Sequence, residues 1–222
     1  MPRTTPLGRP GAPERSGYAK SRDTRARILA AALAEASEAG FHKASVAGIA
    51  ARAGVAVGNL NYHFGSRGEL LRELMGSLVA DLMARLHAVD AIDADGRVDF
   101  FERQRAGLLV YLEYMRANPA YVRLAEEIKL HEPELYRRAV AGWVERMEDR
   151  IRLGIEQGTL RAMDDAEIVA QAHFLLGARH FLEEMMQSAD GLEDEAIVDA
   201  YLALVRDGLR RRSGNSRRGK RR

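Results

Sequence analysis

The stretch from Ser45 to Phe64, Ser-Val-Ala-Gly-Ile-Ala-Ala-Arg-Ala-Gly-Val-Ala-Val-Gly-Asn-Leu-Asn-Tyr-His-Phe, concentrates the residues with a recognisable chemistry. Two short helical segments carry apolar side chains at Val46, Ile49 and Ala50, then at Val55, Leu60 and Phe64, and Gly54 stands at the turn between them. That is the spacing of a helix-turn-helix. With Leu60 and Phe64 facing inward, Val57, Asn61 and Tyr62 point away from the core, and Asn59 and His63 flank them. This outer face is polar and aromatic, and it holds no acid. Asn bonds bidentately to adenine, a Val methyl packs on the thymine methyl, and Tyr and His donate to phosphate oxygens. Gly58 lets a phosphate approach the backbone.

Other spacings suggest chemistry less firmly. Residues 91–102 place acids, a glycine and a final glutamate as a calcium loop does, but Ala91 stands where the leading carboxylate belongs. A solvated turn with helix-capping acids is the favoured account. His173, His180 and Glu184 share a helical face at a spacing that suits a metal, yet histidines on a helix packed in an interface are more often structural. No metal and no cofactor are expected. The chain has no Gly-rich phosphate loop ending in Lys-Ser/Thr, no His-Glu-x-x-His and no Gly-x-Ser-x-Gly, so no catalytic residue is assigned and an enzyme is not expected.

Charge is distributed unevenly. Across 222 residues, 34 Lys and Arg stand against 32 Asp and Glu, for a net charge of +2. Residues 1–27 carry seven basic and two acidic side chains, residues 206–222 nine and one, and residues 28–75 four of each. The excess acid therefore falls wholly within residues 76–205. Two basic ends around an acidic body suggest a polyanion-binding end. The absence of cysteine excludes disulfides and thiolate chemistry and fits a reducing compartment. No run of about 18 apolar residues exists to span a bilayer, and the first 27 residues lack a signal peptide's apolar stretch. A cytoplasmic protein without membrane contact is expected.

The elements that position these residues are helices. Apolar residues recur three and four apart in Leu70-Leu74-Leu78-Leu82-Leu86, Leu108-Leu112-Met115 and Ile168-Ala172-Leu175-Leu182-Met186, and no alternating strand pattern is evident. An all-α fold of about nine helices follows from the start and stop signals. Ser21 opens the first helix, Ser45 and Gly54 bound the second, and the third runs from about Ala56 to Phe64. Ser66 and Glu69 form a capping box for a long fourth helix. Further helices are expected near 98–117, 120–130, 133–157, 165–188 and 194–211. The expected organisation is a disordered basic arm at 1–20, a helix-turn-helix domain at 21–66, a C-terminal bundle at 67–211 and a disordered basic tail at 212–222.

From Arg22-Asp23-Thr24-Arg25-Ala26-Arg27-Ile28-Leu29 through Gly40-Phe41, Ile49-Ala50, Ala53-Gly54-Val55 and Gly58-Asn59-Leu60-Asn61-Tyr62-His63-Phe64 to Arg67 and Leu70-Leu71, the chain resembles the DNA-binding domain of the tetracycline-repressor (TetR) family. The resemblance covers about a quarter of the sequence. It implies an all-helical homodimer with an N-terminal operator-binding module and a C-terminal domain that holds a small-molecule pocket and the dimer interface. This sequence departs from the family pattern at Ala47-Gly48, Ala56 and Val57, where Arg-Asp, Ser and a basic residue are often found, and Asn61-Tyr62 displaces the usual tyrosine by one place. Three polar DNA or capping contacts are thereby lost.

The expected DNA contacts are Lys43, Ser45, Arg52, Val57, Gly58, Asn59, Asn61, Tyr62, His63 and Arg67, with help from Lys20, Arg22, Arg25 and Arg27. Effector candidates are Tyr111, Tyr114, Met115, Trp143, Met147, His173 and Phe174, with Arg179 as a further polar anchor. The dimer is expected to close through Ile168, Leu175, Leu176, Leu182, Ile197, Tyr201 and Leu204. The function expected is a repressor released from a palindromic double-stranded operator by a small-molecule effector of unknown identity. A regulator without an effector is the first alternative, and a ligand carrier or enzyme with a vestigial helix-turn-helix is the second.

Overall fold

The computed structural model describes residues 14–91, 98–188 and 191–209. Among them the helices α1 (Glu14–Ala39), α2 (Val46–Ala53), α3 (Val57–Phe64), α4 (Arg67–Ala91), α5 (Phe100–Ala117), α6 (Ala120–His131), α7 (Pro133–Glu156), α8 (Asp165–Ser188) and α9 (Asp194–Leu209) follow in order, with a one-turn 3-10 helix at Phe41–Lys43. The fold is all-α, as the periodicity predicts. No described helix is long and apolar enough to cross a membrane.

Local signals set most of the helix ends. Asp99 and Glu102 reciprocate as a capping box: Asp99 accepts from the Glu102 N–H at 2.8 Å, and Glu102 accepts from the Asp99 N–H at 3.3 Å. Those acids, suspected of belonging to a calcium loop, serve the start of α5; residues 92–97 of that loop lie outside the described residues. Pro133 occupies the first turn of α7. The expected start of α1 at Ser21 is corrected to Glu14, because Glu14–Lys20 holds no proline and its single glycine, Gly17, is tolerated within the longer helix. The arm at 1–20 is thus helical from residue 14, and its first 13 residues, like the tail at 212–222, lie outside the described residues.

The chain divides into two compact units, residues up to Met75 and residues from Gly76. The division falls inside α4, not after residue 66, so that the first turns of α4, with buried Leu70, Leu71 and Leu74, go with the N-terminal unit. That unit is centred on Ile28, Ala32, Phe41, Ile49, Leu60 and Phe64. In the C-terminal unit one apolar cluster joins Leu82 and Leu86 to Tyr111, Leu112, Leu182 and Val198. A second joins Phe101, Met147, Ile151, Leu160, Ile168 and Leu175. Two bidentate pairs tie α5 to α9: Arg105 to Asp199 at 2.6 and 3.1 Å, and Arg116 to Asp194 at 2.6 and 3.0 Å. Arg161 closes the far end of α9, donating its backbone N–H to the Leu209 carbonyl and its Nε to that of Gly208.

Gly154 lets the loop after α7 fold back on the helix. A Cβ there would lie 2.9 Å from two atoms of buried Leu160 and 3.3 Å from the Phe100 Cβ, whereas a Cβ at Gly142 on the same helix meets nothing within 4 Å. Alanine should therefore act oppositely at the two sites. Gly142→Ala is expected to stabilise by up to about 1 kcal/mol through helix propensity. Gly154→Ala is expected to destabilise, the overpacking costing about 1–3 kcal/mol against that gain. Thermal unfolding midpoints of the two variants check the contrast.

Candidate nucleic-acid interface

The turn between α2 and α3 is built from local contacts. Ser45 caps α2 by accepting the Gly48 N–H at 2.9 Å. Gly54 ends the helix with φ 64° and ψ 39°, a left-handed geometry that suits glycine. The N–H groups of Gly54 and Val55 return to the carbonyls of Ala51 and Ala50 at 3.1 and 3.0 Å. Ala56 precedes α3 and offers no side-chain cap. The first N–H groups of α3 thus have no side-chain acceptor from the cap position, which suits an anion at that end.

Leu60 and Phe64 are buried, and they fix the rotation of α3. Its other face is open: Val57, Gly58, Asn59, Asn61 and Tyr62 are exposed, Tyr62 at 84% of its surface, and His63 is half-buried with its ring edge-on to Tyr62 at 5.3 Å. These are the outward residues the sequence predicts. Lys43, Lys20 and Arg22 are exposed as well.

Three of the arginines assigned to phosphate are instead engaged within the fold. Arg25 donates a fork of hydrogen bonds to the Glu73 carboxylate and a third bond, of 2.7 Å, to the His63 carbonyl. Its guanidinium also lies 4.7 Å from the Phe64 ring. Arg52 pairs with Glu38 and, at 3.2 Å, with Glu35; the hydrogen bond to Arg52 holds the Glu38 carboxyl below its ordinary range. Arg67 donates to the Phe41 carbonyl and stacks 4.6 Å over its ring. Ser45 likewise has its oxygen committed to the helix cap. Arg27 reaches the Gly54 carbonyl only at 3.4 Å. These bonds account for cations that the spacing alone marks as available.

The effector candidates separate in the same way. Tyr111, Met147 and half-buried Trp143 lie around Arg179, whose guanidinium is 5.0 Å from the Tyr111 ring and 5.4 Å from Trp143. The Tyr111 hydroxyl donates to Glu183, and burial pushes it well above the usual phenol range. Tyr114 and Met115 are fully packed, with the Tyr114 hydroxyl donating to the Leu78 carbonyl at 2.8 Å, so they support the core. His173 and Phe174 are exposed, His173 lying 2.8 Å from the Val169 carbonyl, and they are on the outside of α8 because Ala172 and Leu175 take its inner face. Among the described residues no group of three His, Asp or Glu side chains gathers at a metal-binding distance.

Of the expected dimer residues Leu204 is open, and the other six are covered or partly covered within their own chain. Ile168, Leu175, Leu182 and Ile197 are buried in their own chain, and Leu176 and Tyr201 are partly covered. On the same two helices the apolar side chains left open are Val169, Phe174, Phe181 and Met185 of α8 and Leu204 of α9, with Phe174 at 73% and Leu204 at 79% exposure.

Residues 28–74 match the family model described as bacterial regulatory proteins, tetR family. The chain is 28% identical over 125 residues to the HTH-type transcriptional regulator BetI of Escherichia coli, an alignment covering 51% of this chain and 58% of the relative; a Yersinia pestis BetI matches at 28% over 129 residues. The chain thus spans somewhat over half the length of the curated relatives it matches. Its fold is similar to that of a Saccharomonospora viridis protein solved in complex with choline, with a TM-score of 0.71 and 21% identity over 86% of this chain and 100% of that one. A second similar fold is the TetR-family regulator PfmR of Thermus thermophilus, with a TM-score of 0.62 and 25% identity over 83% and 100% of the two chains.

Removing Arg25 should loosen the end of α3. In Arg25→Ala the His63 carbonyl and Glu73 lose a charged donor, at an expected cost of about 1–3 kcal/mol for the hydrogen bonds, with little added by the half-exposed ion pair. Hydrogen exchange across residues 57–65 should accelerate in this variant and stay unchanged in Tyr62→Ala, whose ring supports nothing in the core.

Proposed function

We propose that the chain, whose residues 28–74 match the tetR family of bacterial regulatory proteins, is a sequence-specific DNA-binding transcriptional regulator that works as a homodimeric repressor. The observation that carries this reading is the outer face of α3. Eight residues long and held by buried Leu60 and Phe64, that helix exposes Val57, Asn61 and Tyr62 and no acid. Such a helix enters a major groove, where asparagine reads adenine and valine packs against a thymine methyl. Exposed Lys43, Lys20 and Arg22 supply the cations for phosphate, together with the uncapped start of α3.

The open apolar side chains of α8 and α9 support a second copy of the chain as the partner. Val169, Phe174, Phe181, Met185 and Leu204 form the kind of exposed apolar surface that a self-complementary two-fold interface covers. Two α3 helices related by that axis would meet half-sites roughly 34–36 Å apart on a pseudo-palindromic operator. A small molecule bound in the C-terminal unit would release the operator by favouring a state whose half-site spacing no longer fits. An open hollow of about 300 Å3 among α4, α5 and α7, at the lower end for small-molecule sites, supports the effector. In the choline-bound Saccharomonospora viridis protein the ligand is a small organic cation; the hollow of the present chain is lined by Arg103, Arg146 and Arg150 and favours the opposite charge.

Selection of genomic fragments by the purified protein should recover one palindromic sequence; recovery of unrelated fragments only would overturn the reading. Asn61→Ala and Tyr62→Ala should each weaken binding to that site, Asn61→Ala by about 1–3 kcal/mol, with the dimer intact. Phe174→Glu with Phe181→Glu should give a monomer in sedimentation and lose the operator, because charge replaces the proposed apolar seam.

A further inference from the structure

Two buried guanidinium nitrogens without a hydrogen-bond partner are the feature that nothing so far explains. Arg179 is 8% exposed on α8, and its Nε has no hydrogen-bond partner; the Nε of Arg146 on α7 is buried and equally unpartnered. Burial lowers the pKa of the Arg179 guanidinium below its ordinary value, the sign of a cation held at a cost. A buried charged donor left unsatisfied is expensive enough to call for a missing acceptor.

Both arginines border the same ring. Trp143 lies 5.7 Å from the Arg146 guanidinium and 5.4 Å from that of Arg179, and Tyr111 flanks Arg179 from another side at 5.0 Å. The aromatic faces that would attract an organic cation are therefore already taken by the protein's own guanidinium groups. Two hollows meet here. An inner one of about 10 Å3, room for one water-sized atom, is bordered by both arginines and Trp143. The outer one of about 300 Å3 shares His87, Asp90, Arg146 and Arg150 with it and continues along Phe100 and Leu153. The walls hold four arginines against Asp90 and Asp149. Asp90 is engaged by Arg150, at 2.7 and 2.9 Å, and by Arg103 at 3.9 Å. Glu183, four residues beyond Arg179, accepts from Tyr111, and burial raises its carboxyl toward the neutral form.

We propose that the effector is an organic oxyanion, a carboxylate or phosphate ester with a short apolar body, whose head is received by Arg146 and Arg179 beside Trp143. This rests on the reading of the C-terminal unit as the ligand-binding part. One oxygen of the head enters the inner hollow, which both guanidinium groups border, and accepts from them. The body lies in the outer hollow against Phe100 and Leu153. A second oxygen competes with Asp90 for Arg150, so that binding loosens the tie between α4 and α7 at that point. The hollow's size selects a small ligand, and its charge rejects a cation.

Trp143 is the sole tryptophan of the chain, so its emission reports the site directly. Full-length protein is titrated with hexanoate, hexyl phosphate and hexyltrimethylammonium, which share a tail and differ in the head, with sodium chloride at matched ionic strength as the blank. A saturable change with at least one of the two anions, at a Kd below about 1 mM, and none with the cation is expected. The stronger anion tells carboxylate from phosphate. Arg179→Met and Arg146→Met should each weaken that response at least roughly tenfold, as loss of a charge-assisted hydrogen bond does. Arg105→Ala, which breaks only the pair with Asp199, should leave it unchanged. Methionine keeps the volume of a buried arginine, and the melting midpoint confirms that each variant is folded. A saturable response to the ammonium, or to none of the three, overturns the proposal, and so does an anion response that survives both methionine variants. A protein that selects an operator yet ignores both anions refutes this inference alone, whereas failure to select any operator refutes the regulatory reading itself.

Discussion

The geometry of the N-terminal unit hangs on the guanidinium of Arg25. One planar group from α1 reaches the Glu73 carboxylate of α4, the His63 carbonyl in the last turn of α3, and the face of the Phe64 ring. A cation belongs at that end of α3, where the backbone carbonyls concentrate negative potential. Lysine could supply the charge but not the fork that joins three elements at once. Because α3 is only eight residues long, it has too few internal hydrogen bonds to hold itself, and its register comes from tertiary contacts at Leu60, Phe64 and Arg25. The exposed residues Val57, Asn61 and Tyr62 stand on the side of α3 that none of these contacts uses.

The same economy of arginine appears in the C-terminal unit with a different outcome. There the pairs Arg105–Asp199 and Arg116–Asp194 are geometrically complete at the surface and fix α9 against α5. In the interior, between α7 and α8, the donors of Arg146 and Arg179 remain incomplete. Exposed pairs contribute little each because water competes for both partners. Buried arginines have no such alternative, so incompleteness there is informative where at the surface it would not be.

The helices and their caps were legible because their causes are local. Ser45 with Gly48, Gly54 in the left-handed region, Asp99 with Glu102 and Pro133 all act within a few residues, and each produced the boundary its chemistry implies. The outward face of α3 followed from Leu60 and Phe64 by helical geometry alone. What spacing could not reveal was which cations remain available. Arg25 finds its partner 48 residues away and Arg67 finds Phe41 26 residues back, so their roles depend on a fold already formed. On α8 the difficulty is that apolar residues occur almost all round. Periodicity identifies the helix but cannot choose between the side holding Ile168, Leu175 and Leu182 and the side holding Phe174, Phe181 and Met185. Arg179, a polar-anchor candidate from the sequence, falls on the same stripe as Ala172, Leu175 and Leu182, a charge where the pattern asks for an apolar residue.

Val57, Gly58, Asn59, Asn61 and Tyr62 take no part in the core, and a methyl group at Gly58 would meet nothing within 4 Å. Substitutions at these five positions leave the folding free energy nearly untouched, since stability is sensitive to burial and partners. Mutation can therefore wander through this set while the scaffold stays constant. After gene duplication, two descendants could acquire distinct operators within a few amino-acid changes and keep the same body. The open face of α3 is in that sense the most evolvable part of the molecule, and the part from which relatives' operators are least safely inferred.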